Sequence, residues 1–247
     1  MKTIRLVLLF TIFVTPSLFG FDLDVNHWSD YSGNIEGKPV SMSLYRFSNN
    51  QVRGHYYFTG NDNKIYLAGK IKGAEITLWA IVNKKSQAMI RGSFFTDSID
   101  KFEGIWIEKS SRKIQFKLHL NAVTGESYKK RYDFLDGTTK QVEQFAKQVK
   151  LAIVSGDKEW LSLNINFPIK TSLDGKKLIT INNQKQFNTN FDRIFHAAFV
   201  EKAKSFEYFD LFSNYQGVMM GAGEIWINSV TTSAYKNSKY KITAINN

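Results

Sequence analysis

From about residue 28 to residue 135 the chain alternates. Val40, Met42 and Leu44 are separated by Ser41 and Ser43, and Ile114, Phe116, Leu118 and Leu120 by Gln115, Lys117 and His119. A repeat of two with one apolar side is the pattern of half-buried antiparallel strands, and no ten-residue window here carries a helical stripe. Segments 52–58, 64–71, 75–81, 88–95 and 102–108 extend the series, broken by turn formers such as Asn49-Asn50 and Gly60-Asn61-Asp62-Asn63. Glycine recurs inside the strands in Gly54-His55-Tyr56, Gly92-Ser93-Phe94 and Gly104-Ile105-Trp106, each with an aromatic residue two positions later on the same face. Interior glycines weaken a flat strand and suit one that bends sharply or closes. The N-terminal half is therefore expected to be an all-β antiparallel meander rolled into a small barrel or a strongly bent sheet. Its aromatics are expected to fill the core, with a ligand-binding interior as the alternative.

After Asp136-Gly137 the period changes. Thr138 and Thr139 offer a helix cap, and Val142, Phe145, Val149 and Ala152-Ile153 make a helical stripe ringed by Lys140, Glu143, Lys147 and Lys150. Ser155-Gly156-Asp157 ends this helix and caps a shorter one from Lys158 to about Ile165. Asp174-Gly175 signals a hairpin between strands at 169–173 and 177–181. Asn188 or Thr189 is expected to cap a third helix with Phe191, Ile194-Phe195 and Ala198-Phe199 on its apolar face, and two long strands, 216–229 and 239–245, close the chain.

This order, with the wording Asp157-Lys158-Glu159-Trp160-Leu161, Asn166-Phe167-Pro168-Ile169, Phe191-Asp192-Arg193-Ile194-Phe195 and the Gly217–Ile227 and Tyr240–Asn246 stretches, resembles the nuclear transport factor 2-like superfamily, in particular its bacterial exported members. The resemblance covers roughly residues 138–247. It implies an α+β cone, a curved sheet packed on three helices around a pocket, on a superfamily that hosts enzymes, binding domains and inert scaffolds alike. The expected organisation is a signal peptide at 1–20, an all-β barrel-like domain at 21–136 and the α+β domain at 137–247.

Lys2 and Arg5 precede an apolar run from Leu6 to Val14, broken only by Thr11 and followed by Pro16. This is the layout of a secretory signal peptide, and the run falls short of the roughly 20 residues that span a bilayer. With no cysteine in the chain there is no lipid-modified N-terminus, disulfide, thiol nucleophile or Cys-based metal site. A soluble periplasmic or secreted protein, without stable membrane insertion after cleavage, is expected. Removing residues 1–20 takes away Lys2 and Arg5 and no acid, lowering the formal charge from +11 to +9. That charge is diffuse, the longest basic run being Lys129-Lys130-Arg131, and it favours anionic envelope partners over nucleic acid.

Marks of catalysis are sparse. His27, His55, His119 and His196 are scattered, with no metal-ligand spacing, and no Gly-x-Ser-x-Gly is present. Asp192 and His196, four apart on one helix, could form a base pair in the resembled fold, but they lie beside the apolar stripe and read as a surface ion pair. Gly217, Gly221 and Gly223 lead into a strand rather than a helix, so they are bend or bulge glycines and not a phosphate cradle. Candidate pocket residues of the cone are Trp160, Phe195, Tyr215, Glu224 and Trp226. No cofactor or metal is implied. The expected function is a non-enzymatic accessory protein binding an envelope protein or an anionic cell-wall component; the alternative is a small-molecule binder or enzyme that uses the cone pocket.

Overall fold

The computed structural model describes residues 23–83, 85–96, 100–231 and 239–247; the signal-peptide segment lies outside them. Eight antiparallel strands form a closed barrel in simple sequential order. They are β1 (Trp28–Ile35), β2 (Lys38–Arg46), β3 (Gln51–Phe58), β4 (Ile65–Lys72), β5 (Glu75–Val82), β6 (Lys85–Thr96), β7 (Asp100–Glu108) and β8 (Lys113–Thr124). β1 closes on β8 with Tyr31 opposite Leu120, after a register shift at Asp30/Tyr31.

Eight strands enclose a space just wide enough for side chains, and here they fill it. Tyr31, Met42, Leu78, Ile90, Phe94 and Phe102 are fully buried. The rings of Phe94 and Phe102 stack at 4.7 Å, and Tyr56 meets Trp106 edge-on at the same separation. The aromatics that follow the strand glycines, Tyr56, Phe94 and Trp106, all point into this core, so its interior is packed rather than open. The glycines themselves sit where strands press together. A Cβ on Gly69 would lie 1.9 Å from the Thr77 carbonyl oxygen, and Gly92 and Gly104 face each other in register. Coiling tight enough to close the barrel leaves no room for a methyl group there.

The C-terminal part begins with α1 (Thr139–Ser155), where Thr138 and Gln141 form a reciprocal capping box, and Gly156 ends it in the left-handed conformation. Asp157 caps α2 (Lys158–Asn164). β9 (Ile169–Leu173) and β10 (Lys177–Ile181) pair through Asp174-Gly175, both at positive φ. The remaining elements are α3 (Gln184–Ile194), α4 (Ala197–Ala203), β11 (Phe212–Asn214), β12 (Gly217–Met220), β13 (Ile225–Val230) and β14 (Lys239–Ile245), the last four strands forming one antiparallel sheet. Ile165 bridges to Ile242, which brings the end of α2 onto that sheet.

Four sequence expectations are corrected. The third helix is two helices, so the described residues hold four. Asn183, not Asn188 or Thr189, caps α3 by accepting from the Gln186 amide. The chain leaves helical geometry at Phe195-His196, where His196 adopts β-region angles and its Nδ1 caps α4 by accepting from the Phe199 amide. The stretch 216–229 is a hairpin rather than one bent strand: Gly221 and Gly223, at φ 66° and 108°, turn β12 back onto β13. The helical stripe of α1 is also wider than read, since Glu143 is buried with it.

Two apolar clusters result, one inside the barrel and one among the helices and the C-terminal strands, and Tyr132 and Leu135 already belong to the second. Among the described residues no helix is long and apolar enough to cross a membrane.

Candidate functional site

The outer face of the barrel carries the first half of a charged cluster. Asp30 on β1 is in register with Ser43 on β2, Ser43 with His55 on β3, and His55 with Tyr66 on β4. All four alternate with inward-facing core residues, so the pleat sets them in one row on the outside. The segment after β8 and the C-terminal part cover that row. Tyr57, on the neighbouring outer row, is buried against Phe209, their rings 5.1 Å apart.

The covering elements bring the matching charges. Arg131, only 2% exposed, donates to Asp30 and, at 2.8 Å, to Ser43 Oγ, and its guanidinium lies 5.1 Å from the Trp28 ring. Ser43 in turn donates to Asp30 at 2.5 Å. Asp210, at φ 50° between α4 and β11, receives the His55 Nε2–H at 2.8 Å to each carboxylate oxygen. Lys64, just before β4, spans Asp210 at 3.0 Å and Glu143 of α1 at 2.7 Å. Tyr132 donates to Glu143 at 3.0 Å and accepts the Leu211 amide at 3.1 Å.

Three carboxylates therefore face two permanent cations and one imidazole, and the cluster joins the barrel to the C-terminal part. Burial opposes ionisation of Asp210, but the charges of His55, Lys64 and Arg131 outweigh it and hold the carboxyl well below the usual range. At Asp30 burial wins over Arg131, reinforced by the nearby Asp210 charge, and pushes that carboxyl up. Burial and the Glu143 charge raise Tyr132, which stays a neutral donor. An ionised Asp210 can only accept, so His55 Nε2 carries a proton toward it.

The cluster lies beside a cleft of about 800 Å³ between the barrel and α1, whose walls include His55, Trp28, Tyr66 and Tyr128 from the barrel side and Glu143 and Lys147 from α1. Trp28 and Tyr128 stack at 5.7 Å, leaving Tyr128 40% exposed, and Tyr66 is 63% exposed. Lys147 is engaged by Asp62 at 2.6 Å, whereas Lys129 and Lys140, exposed at the mouth, have no ion-pair partner among the described residues. The arrangement combines buried, paired polar groups, partly exposed aromatic side chains and exposed lysines without an ion-pair partner among the described residues. Among the described residues no cluster of metal-ligating side chains occurs.

The residues nominated from the sequence lie elsewhere, and none lines this cleft. Trp160 packs on Phe145, with ring centres 5.6 Å apart, at the edge of the C-terminal core. Phe195 is buried among Phe187, Phe191 and Phe199. Tyr215 is 78% exposed in a turn. Glu224 lies in the β12–β13 turn, accepting the Ala222 amide at 2.5 Å and paired with Lys202; Trp226 is half-buried on β13 opposite Met219. Asp192 and His196 form no ion pair, because the helix break turns His196 into a cap. The run Lys129-Lys130-Arg131 is split, its arginine facing inward. Of the site's own residues, His55 and Ser43 stand out in the sequence only as polar positions in alternating strands, and their convergence depends on the pairing register and on Asp210, 155 residues from His55. No family model, curated protein or solved structure matches the chain.

Proposed function

We propose that the protein is an exported, periplasmic binding protein whose ligand is an anionic cell-wall component held in the cleft between the barrel and α1. The observation that carries this reading is the division of charge in the cleft. The floor cations Arg131 and Lys64 are committed to Asp30, Asp210 and Glu143, while the rim cations Lys129 and Lys140 are free. Paired floor charges rigidify a site, and unpaired exposed lysines attract an anion at little desolvation cost. The apolar basic-led N-terminus and the net positive charge support export and an anionic partner.

On this reading the chain is a two-domain protein, and the C-terminal part is a nuclear transport factor 2-like unit serving as a scaffold rather than as a pocket. Phe187, Phe191, Phe195, Phe199 and Phe206, all buried, occupy its interior, which argues against the cone-pocket alternative.

The test is binding of the purified protein to peptidoglycan sacculi across a salt series, alongside Lys129→Glu/Lys140→Glu. Exposed charges are screened over about 8 Å at physiological ionic strength, so affinity should fall steeply with salt. The double reversal should abolish most binding without changing the melting temperature. Affinity that is flat in salt, or unchanged in the double variant, would remove the rim from the binding surface.

A further inference from the structure

We infer that the uncovered side of the barrel, from β4 to β7, docks on an anionic lipid surface with Trp79 entering the headgroup layer. This second surface goes beyond the cleft reading and uses none of the cleft's residues.

One outer row runs across six strands in register: Arg53, Ala68, Trp79, Met89, Ile107 and Lys113. Their chain neighbours Leu78, Ala80, Ile90 and Trp106 are buried in the barrel, so the pleat turns this row outward. Trp79 is 42% exposed, and Met89 and Ile107 are half-buried and belong to neither apolar cluster. The next outer row runs through Lys70, Thr77, Arg91 and Ile105, and Ile105 is 39% exposed. The centre of this side is thus apolar, with cations around it and no acid in either row. Glu75 and Glu103 stand in the row beyond, and Glu103 is paired with Lys117 at 2.9 Å. Arg53, Lys70, Arg91 and Lys113 are exposed, and none has an ion-pair partner among the described residues. Arg53, Lys70 and Trp79 also line one recess of about 220 Å³.

That composition selects the occupant. A tryptophan among aliphatic side chains, ringed by Lys and Arg, matches the layers of a membrane interface: indole at the headgroups, methyl groups just below, cations at the phosphates. Long stems let the cations on the flanking strands reach the surface while the barrel curves away. A second copy of the chain fits badly, because a two-fold contact through this side would set four unpaired cations against the same four. A bare polyanion would engage the cations and leave the Trp79–Met89–Ile107 stripe in water. The opposite side, β1 to β3, is covered by the segment after β8 and the C-terminal part, so the barrel lies on a bilayer rather than across it.

The test sediments the purified protein, without the apolar leader that would itself bind lipid, with vesicles of phosphatidylcholine alone or with about 30% phosphatidylglycerol. Partitioning into the anionic vesicles should be about tenfold or more stronger. Each cation at such a surface contributes about fivefold, so Lys70→Gln/Arg91→Gln should weaken binding about 25-fold. Lys176→Gln/Lys177→Gln removes the same charge from the exposed β9–β10 hairpin and should stay within about twofold of the native protein. Brominated acyl chains should quench the native fluorescence, and Trp79→Phe should lose most of that quenching. Trp28 and Trp106 are buried, and Trp160 and Trp226 are half-buried in the C-terminal part. Equal losses in the two double variants would reduce the effect to net charge and overturn the assignment of this side, as would quenching that survives Trp79→Phe. Absent binding, or equal binding to neutral vesicles, would overturn lipid docking altogether. A concentration-dependent dimer that Trp79→Ser dissociates would hand this side to a second copy of the chain instead.

Discussion

Replacing Asp210 by Asn removes one charge from the cluster that joins barrel to C-terminal part, while keeping the side-chain volume. Lys64 retains Glu143 at 2.7 Å and Arg131 retains Asp30, so both cations keep a partner. His55 Nε2 keeps only one acceptor oxygen, now uncharged, in place of two, and Arg131 loses the second carboxylate, 3.7 Å from its Nε. Breaking a buried pair by removing one partner costs about 3–5 kcal/mol, and with both cations still paired the loss should sit near the lower end, about 3 kcal/mol. With a urea dependence of roughly 2–3 kcal/mol/M for a chain of this size, the unfolding midpoint should drop by about 1 M. The pH dependence carries the sign. Asp210 has a folded pKa held below its unfolded value of about 3.9, so its contribution is fully present above that pH and is lost as pH falls through the depressed native value. The midpoint gap between the native protein and Asp210→Asn should therefore be constant from pH 7 to about pH 5 and narrow below about pH 4. A gap under about 0.3 M at pH 7 would show that water screens the cluster and that it does not hold the two parts together.

Other outcomes follow from the packing. Gly69→Ala must move either its own backbone or that of β5, because the Thr77 carbonyl oxygen lies 1.9 Å from the new carbon; it should cost more than about 3 kcal/mol by urea unfolding. Gly60→Ala, at positive φ with nothing nearby, should cost only about 1 kcal/mol. His196→Asn keeps the α4 cap and removes a buried, unpartnered Nε2, so stability should be unchanged or raised by up to about 1 kcal/mol; a loss of that size would show that the imidazole packs productively. A fragment of residues 138–247 lacks Tyr132 and Leu135 from its core and leaves Glu143 and Asp210 without Lys64, His55 and Arg131, so its circular dichroism should show less cooperative unfolding than a fragment of 126–247 that restores the anchors.

The local architecture was legible wherever one segment decides its own structure. The alternation in β2 and β8 announced strands, Thr138 and Asp157 announced helix starts, and Asp174-Gly175 announced a hairpin, since each signal sits within a few residues of what it controls. The errors fell where competing local signals differ by little. Asn183 and Asn188 are both acceptable caps, and only Asn183 lies where Phe187 and Phe191 both reach the core. Gly221 and Gly223 suit a bend or a turn equally well, and the Glu224 carboxylate that receives the Ala222 amide stabilises the turn.

The cleft was not legible, for a different reason. The buried cluster beside it draws Asp30, His55, Lys64, Arg131, Glu143 and Asp210 from six separate stretches, so no spacing along the chain marks them. A polar residue on the outer face of a barrel strand reads the same whether solvent or protein covers it. Lys129-Lys130-Arg131 shows the consequence: as a sequence it is a solvated basic run, yet Tyr132 and Leu135 just after it anchor the chain in the second core. That anchoring turns Arg131 inward over a barrel row that holds an acid, a serine and a histidine in register. Had the arginine met an apolar row, its burial would have left an uncompensated charge. The pairing register of the barrel and the position of the linker anchors are therefore a single constraint, and the polar row on β1–β3 is its trace in the sequence.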